Sequence, residues 1–337
     1  MKQYLGPLLA STVVATAAIP AWGMEELLVT GSYSAQQELT SSVAVLDAER
    51  IGVLNKRTLS GLLKTVPGLL VEEQGGPGGL TAVSVRGGEA NFTLVLLDGV
   101  PVNDPTNTRG GGFDFANLNS ALVERVEVVR GAASAVYGSD ALAGVINIVT
   151  RRPATGYRES LSVELGEDDY QQFSVSALGR EGVFDYTVEI ATRDDGDPVP
   201  GSARDSDSAN LRLGWQPDER HDLTFNFRYL EGDRTSYPEQ SGGPEFAAID
   251  ALDEAHYEDQ LLGITWDMQV SPGWRSRLSL TRFDHEEDYT SPGIVPFDAV
   301  PPNAGRTDFT RDQLQWVNSV EPAPGYRLDV GADYREE

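Results

Sequence analysis

From residue 157 onward the chain alternates apolar and polar positions with a period of two. In VFDYTVEIA (183–191), Phe184, Tyr186, Val188 and Ile190 share one face while Asp185, Thr187 and Glu189 share the other. In DLTFNFRY (222–229), Leu223, Phe225, Phe227 and Tyr229 oppose Thr224, Asn226 and Arg228. A period of two is the signature of strands with one greasy and one polar face. Nine such strands are predicted, at 157–165, 170–179, 183–193, 208–216, 221–231, 257–269, 274–287, 307–320 and 325–335. The connections at 179–182, 216–220, 271–273 and 322–325 are tight; those at 194–207, 232–256 and 288–306 are long, and the two kinds alternate after the first hairpin. A soluble sandwich would bury the apolar face. An outer-membrane barrel would turn it to lipid, and alternation of short turns with long outer loops is the barrel pattern.

Residues 24–156 follow a different grammar. Asp47 is placed to cap a turn opening at Ala48, and Thr58–Thr65 reads as a helix that must stop before Pro67 and Gly68. Short β-rich runs follow at 82–85, 93–97, 125–129 and 145–150, separated by the Gly-rich loops GGPGG (75–79) and RGGGF (109–113). This predicts a compact unit of mixed helices and strands, with a boundary at Arg151, Arg152 and Pro153. GGPGG is a poor phosphate loop, because no Lys-Ser/Thr follows it.

Charge sharpens the division. Residues 24–156 hold 10 Lys/Arg against 14 Asp/Glu, whereas residues 157–337 hold 15 against 38, out of a net charge of -26. Such acidity argues against nucleic acid, which needs a basic footprint. Cysteine is absent, which excludes disulfides and thiolate chemistry, and His221, His256 and His285 lack metal-site spacing. No nucleophile, base and orienting group occur together, and Asp98 in LLDG reads as a turn residue, so an enzyme is disfavoured.

At the start, Lys2, an apolar run from Leu5 to Ile19 and the small residues Ala21 and Gly23 read as a secretory signal peptide, residues 1–23, too short to be a span. Just after it, EELLVTGS (25–32) places a short extended segment at a new chain end, where it either joins a sheet of the following unit or stays unpaired.

The stretches LSGLLKTVPGLLV (59–71), VSVRGG (83–88), LVLLDGVPVN (94–103) and VERVEVVRGAASAVYGSDALAGVINIVTRRP (123–153) resemble, in order and spacing, the plug domain of TonB-dependent outer-membrane receptors. The resemblance implies an α+β plug domain followed by an incomplete antiparallel transmembrane β-barrel, about nine strands of the 22 that such transporters close. It divides the chain into a signal peptide (1–23), a TonB box and linker (24–34), the plug (35–152) and the N-terminal part of the barrel (153–337). The box would be Glu26, Leu27, Leu28, Val29, Thr30 and Gly31, which the periplasmic protein TonB captures by strand addition. Arg86 and Arg130 match family arginines that lock the plug to wall carboxylates.

Within the family, EEQGGPGGLTAVSVRGGEANFTLVLLDGVPVN (72–103) and LLVTG are most similar to the cobalamin-transporting members. That nominates the plug loops with Gln74, Gly75, Gly76, Asn103, Arg109 and Phe113 as substrate contacts, although NDPTNTRGGGFDF (103–115) is longer and more polar than the family pattern. Asp197, Asp205 and Asp207, with Glu239 and Asp253, fall at or near positions where those members hold calcium; the alternative is a solvated acidic surface facing lipopolysaccharide and its bridging cations. A ferric siderophore is the competing substrate. Haem is disfavoured because the mature plug has no histidine. A porin would need neither plug nor box. The nine strands would leave an open edge that cannot face hydrocarbon, so the chain is expected to be an N-terminal fragment of a longer receptor or a truncated gene product; the resemblance implies a receptor that works as a monomer.

Overall fold

The computed structural model describes residues 42–337 except 57, 74–78, 107–110, 119, 121–122, 134–136, 138–139, 154–155, 239–240, 249–250, 295–299 and 324–325. The signal peptide and Glu26–Gly31 lie outside the described residues, as do Gln74, Gly75, Gly76, Arg109 and Glu239.

The two expected caps start the two plug helices. Asp47 accepts the Arg50 N–H at 2.8 Å and opens α1 (Ala48–Leu54), which ends at Asn55 in the left-handed region. Thr58 accepts the Gly61 N–H at 3.1 Å and opens α2 (Leu59–Leu63). The second helix is shorter than predicted, because the Thr65 and Val66 N–H groups bond only three residues back, to the Leu62 and Leu63 carbonyls, in tighter turns ahead of Pro67. Leu59, Leu62 and Leu63 are buried completely.

These helices pack on a five-stranded mixed sheet built from β1 (Ser42–Leu46), β4 (Thr93–Leu97), β5 (Val100–Pro101), β6 (Val123–Arg130) and β7 (Gly144–Thr150), in the order β1-β6-β7-β4-β5. Only β4 and β7 run parallel. A separate hairpin joins β2 (Leu69–Glu73) to β3 (Thr81–Val85). The sequence pattern foresaw β3, β4, β6 and β7 but not β1, β2 or β5. Asp98 and Gly99, both with positive φ, make the two-residue turn between β4 and β5.

Nine antiparallel strands form the wall: β8 (Gly156–Leu165), β9 (Gln171–Glu181), β10 (Phe184–Asp194), β11 (Ala203–Asp218), β12 (His221–Ser236), β13 (Asp253–Ser271), β14 (Trp274–Ser291), β15 (Asn303–Ala323) and β16 (Tyr326–Glu336). Each pairs with the next in chain order, and the sheet is open, with β8 and β16 at its edges. All nine expected strands are present, but five extend well into the expected long loops. Asp205 pairs with Asp233, and Ser206 with Gly232, in a stretch with no apolar alternation. There the ladder continues past the apolar belt, where polar side chains suit both faces and the period-two signal disappears.

The burial pattern of the wall is the reverse of a soluble sheet's. Phe184 and Ile190 are 61% and 62% exposed, while Asp185 and Glu189 between them are 2% and 3% exposed. The apolar face points outward and the plug covers the polar face. Trp215, Trp266, Trp274 and Trp316 cluster outward toward the short-turn end, with the Trp274 and Trp316 N–H groups donating to Asn318 and Ser276 at 3.0 Å each. Such a band suits a lipid interface, where a ring needs apolar company and its N–H needs a partner.

Candidate functional site

The site is the seam between plug and wall, and its most heavily charged part centres on Asp114. This plug carboxylate caps the 3-10 turn Phe115–Asn117, accepting the Ala116 N–H at 3.1 Å and the Thr81 N–H at 3.0 Å. Its other oxygen accepts Arg204 of β11 at 3.0 Å and Arg234 of β12 at 3.4 Å. Arg204 also donates to the Asn117 side chain and, at 2.9 Å, to the Gly79 carbonyl. Arg193 of β10 reaches the Ala116 carbonyl at 3.0 Å, and Arg228 of β12 the Asn117 carbonyl at 2.6 Å. Four wall arginines thus clasp one short plug segment. Burial by itself would push the Asp114 carboxyl up, but Arg204, Arg234 and the two backbone N–H groups override it and hold the group below the usual carboxylate range. Tyr257 of β13 lies under Arg204 and Arg234, with its ring centroid 5.8 and 5.7 Å from the two guanidinium carbons.

A second charged tie lies toward the short-turn end, where the plug joins the wall. Arg152 donates to Asp185 of β10 at 3.1 Å and to Asp222 of β12 at 2.7 Å, and Arg212 of β11 completes the group on Asp185 at 2.6 Å.

Between the plug and β12–β15, at the long-loop end, lies a cavity of about 380 Å³ lined by Asp104, Thr106, Arg234, Tyr237, Asp253, His285, Glu287 and Tyr289 among others. His285 sits between a wall and a plug carboxylate, its Nδ1 2.6 Å from Asp259 and its Nε2 3.6 Å from Asp104. Arg234 is held bidentately by Glu287 at 2.7 and 2.8 Å. The cavity therefore presents acidic and hydroxyl groups to its interior, with its one guanidinium already engaged.

The nominated residues distribute unevenly about this site. Asn103 is buried, and its side chain is spent inside the plug: it accepts the Val95 N–H at 2.7 Å and donates to Thr93 and Gly111 carbonyls at 2.9 and 2.8 Å. Phe113 packs edge-on against Phe115, centroids 5.1 Å apart, in the core. The neighbouring Asp104 and Thr106, with Gly79 and Leu80, are the plug residues that line the cavity. Arg130 donates to the Pro67 carbonyl at 2.5 Å, and the backbone N–H of the exposed Arg86 donates to Gly68 at 2.8 Å, so both support one plug turn.

The calcium set does not converge. Asp205 and Asp207 are strand residues of β11 on the outward face, opposite Asp233 and Glu231. Asp253, at the start of β13, faces inward and lines the cavity at the long-loop end, and Asp197 accepts the Ser202 N–H at 3.3 Å in the β10–β11 turn. Carboxylates on opposite faces of one sheet cannot share an ion. Among the described residues no group of three or more metal-ligating side chains is poised for a metal.

The clasp went unforeseen because its partners are 90 and 120 residues apart in sequence. One signal was available for half of it: Arg193 and Arg228 fall on the polar face of expected strands, whereas Arg204 and Arg234 lie in stretches the sequence reads as loops.

A plug seated on the polar face of an antiparallel wall, with the apolar face outward, defines a plugged membrane receptor. Residues 35–145 match the TonB-dependent Receptor Plug Domain. The chain is 30% identical to the vitamin B12 transporter BtuB of Vibrio cholerae, an alignment covering 93% of this chain and 51% of that protein. Identity to BtuB of Vibrio vulnificus is 27%, covering 90% and 48%. The fold superposes on the siderophore receptor PiuA of Acinetobacter baumannii with a TM-score of 0.71 at 19% identity, covering 92% of this chain and 48% of that one. It superposes equally, at 0.71 and 15% identity, on FpvA of Pseudomonas aeruginosa, solved with a heterologous pyoverdine and iron, covering 91% and 43%. The chain belongs to the TonB-dependent receptors, and it spans about half the length of the curated relatives it matches.

Proposed function

We propose that this chain serves TonB-dependent uptake of a scarce nutrient across the outer membrane, with cobalamin as the substrate. The observation that carries the reading is a plug held on the polar face of an outward-greasy wall, in a sequence that aligns over nearly its whole length with vitamin B12 transporters. In this reading residues 1–23 direct export and are removed, and Glu26–Gly31 is the strand that TonB captures. Pulling on it rearranges the plug, and substrate held at the long-loop end passes inward. The receptor acts as a monomer. Gln74–Gly76, Arg109 and the surrounding plug loops are proposed to meet the substrate, and Arg86 and Arg130 to dock against wall carboxylates. Calcium bound by Asp197, Asp205, Asp207, Glu239 and Asp253 is not assigned a part, since the described members do not converge.

A second reading, import of a ferric siderophore, is favoured by the acidic lining of the outer cavity, where Asp104, Asp253 and Glu287 suit a cationic chelate. The deciding experiment is uptake of labelled cyanocobalamin by cells carrying the receptor with a closed wall, with and without functional TonB. Uptake that requires TonB and is lost on deletion of residues 24–31 supports the proposal. Cyanocobalamin neither bound nor taken up, alongside uptake of an iron chelate, would move the assignment to the second reading.

A further inference from the structure

A second cavity, of about 590 Å³, lies on the same side of the plug nearer the short-turn end, lined by Asp98, Pro101, Asn147, Arg152, Thr281 and Gln313 among others. Successive inward residues of three neighbouring strands run from one cavity to the other. On β14 they are His285 in the outer cavity, then Phe283, then Thr281 in the inner one; on β15 they are Thr307, then Phe309 and Arg311, then Gln313. On β13, Leu261 lies opposite Phe283 at the middle level, and Gly263 lies opposite Thr281 at the edge of the inner cavity.

Along β14 and β15 the residues between the two cavities form one contact with Leu261 of β13 and the plug. Leu261, Phe283 and Phe309 are buried and belong to the same apolar cluster as Val100 and Val102 of the plug. Phe283 and Phe309 meet edge-on at 6.3 Å, and the Arg311 guanidinium lies 5.1 Å from the Phe309 ring centroid. Arg311 donates to the plug at the Asn103 carbonyl, 3.0 Å, and more weakly at Pro101, 3.5 Å. On the plug side the seal is the β4–β5 hairpin, whose second strand pairs through only two residues.

The two sides of the plug differ in how they resist movement. Parting the Asp114 clasp would strand buried charges, which is expensive. The β13–β15 contact is apolar and non-directional, and its one cation, Arg311, is paired with Glu337 of the wall at 2.7 Å and reaches the plug only through backbone carbonyls, so the contact can slip without leaving that charge unpaired. We propose that the β4–β5 hairpin and its seal of Leu261, Phe283, Phe309 and Arg311 form the gate of the transport route. Displacing the hairpin joins the outer and inner cavities into one passage along β13–β15, while the Asp114 clasp keeps the far side of the plug docked. This rests on the uptake reading above and adds the route.

The chain has no cysteine, and a Cβ placed at Gly263 would lie 3.2 Å from Val100 Cγ2, so the pair Val100→Cys and Gly263→Cys can tether hairpin to wall. In the receptor with a closed wall, the oxidised pair should bind cyanocobalamin at the surface yet lose uptake, and reduction should restore it. Equal uptake in the two redox states would overturn the gate. A second arm needs no substrate: Thr281→Cys, in the inner cavity, should be shielded from a small charged thiol reagent applied outside intact cells and become reactive when Phe283→Ala and Phe309→Ala are added. Should neither redox state transport cyanocobalamin, the uptake reading fails for that compound and the labelling arm alone decides. An unchanged labelling rate overturns the gate.

Discussion

The plug and the wall obey one hydrophobic effect with opposite results. In the plug, Leu62, Val126 and Ile146 are sealed from solvent and build an ordinary core. In the wall, Ile264 and Trp266 face outward while Arg228 and Asp259 are buried. What differs is the solvent beyond the apolar residues, water for the plug and hydrocarbon for the wall, and the polar face of the wall is buried only because the plug lies on it. Each region thus supplies the surroundings that make the other's sequence reasonable.

The comparison breaks most sharply in the plug core. Leu62→Lys should cost more than about 4 kcal/mol in any solvent, since an unpaired charge would be buried, and the folded, protease-resistant plug should not be recovered. Ile264→Lys is the matched change in the wall. Its cost should depend on the medium, about 2–4 kcal/mol near the bilayer midplane and less toward either interface, and should fade when unfolding is followed outside lipid. Equal penalties in the two media would contradict the outward placement.

Between these sits the clasp. Arg204→Met leaves Asp114 with Arg234 and two backbone N–H groups as its partners and should weaken plug docking by about 3 kcal/mol, read as faster proteolysis and amide exchange at residues 111–118. Adding Asp114→Asn should recover part of the loss, as expected for partners in one network. Acid tests the same group. Its carboxyl is held low when docked, so its contribution is present above the ordinary carboxylate range and is lost as pH falls through the depressed value. Docking should hold from neutral pH into mild acid and fail only in stronger acid, and Asp114→Asn should remove this acid-sensitive component. The smallest effect is expected from Arg306→Ala. Arg306 bonds Glu286 and Asp308 at 2.6 and 3.0 Å, but in open solvent, so no shift in the unfolding midpoint should be resolved.

Strand positions were legible wherever one face met lipid, as in Phe184–Ile190, because alternation records two different surroundings. The signal failed above that belt, where Asp205 and Asp207 look like loop residues yet belong to β11. It failed also for β1 and β2, five-residue runs whose partners, β6 and β3, cannot be named without the fold. Among the nominated site residues, Asn103 and Phe113 belong to a loop that borders the cavity at the long-loop end through Asp104 and Thr106. Their side chains are turned into the plug, and Asp104 meets the cavity instead.

The sequence by itself determined the two regions, the caps at Asp47 and Thr58, the nine strands and the motifs of the plug, since these depend on neighbours a few positions away. Only the tertiary structure decided that Arg193, Arg204, Arg228 and Arg234 converge on residues 114–117, that Asp205 and Asp253 face opposite ways, and that one hairpin divides two cavities. Those outcomes depend on which strand lies beside which and on how the plug is turned within the wall. They are set by ion pairs and apolar contacts between residues as much as 210 positions apart, which no local pattern encodes.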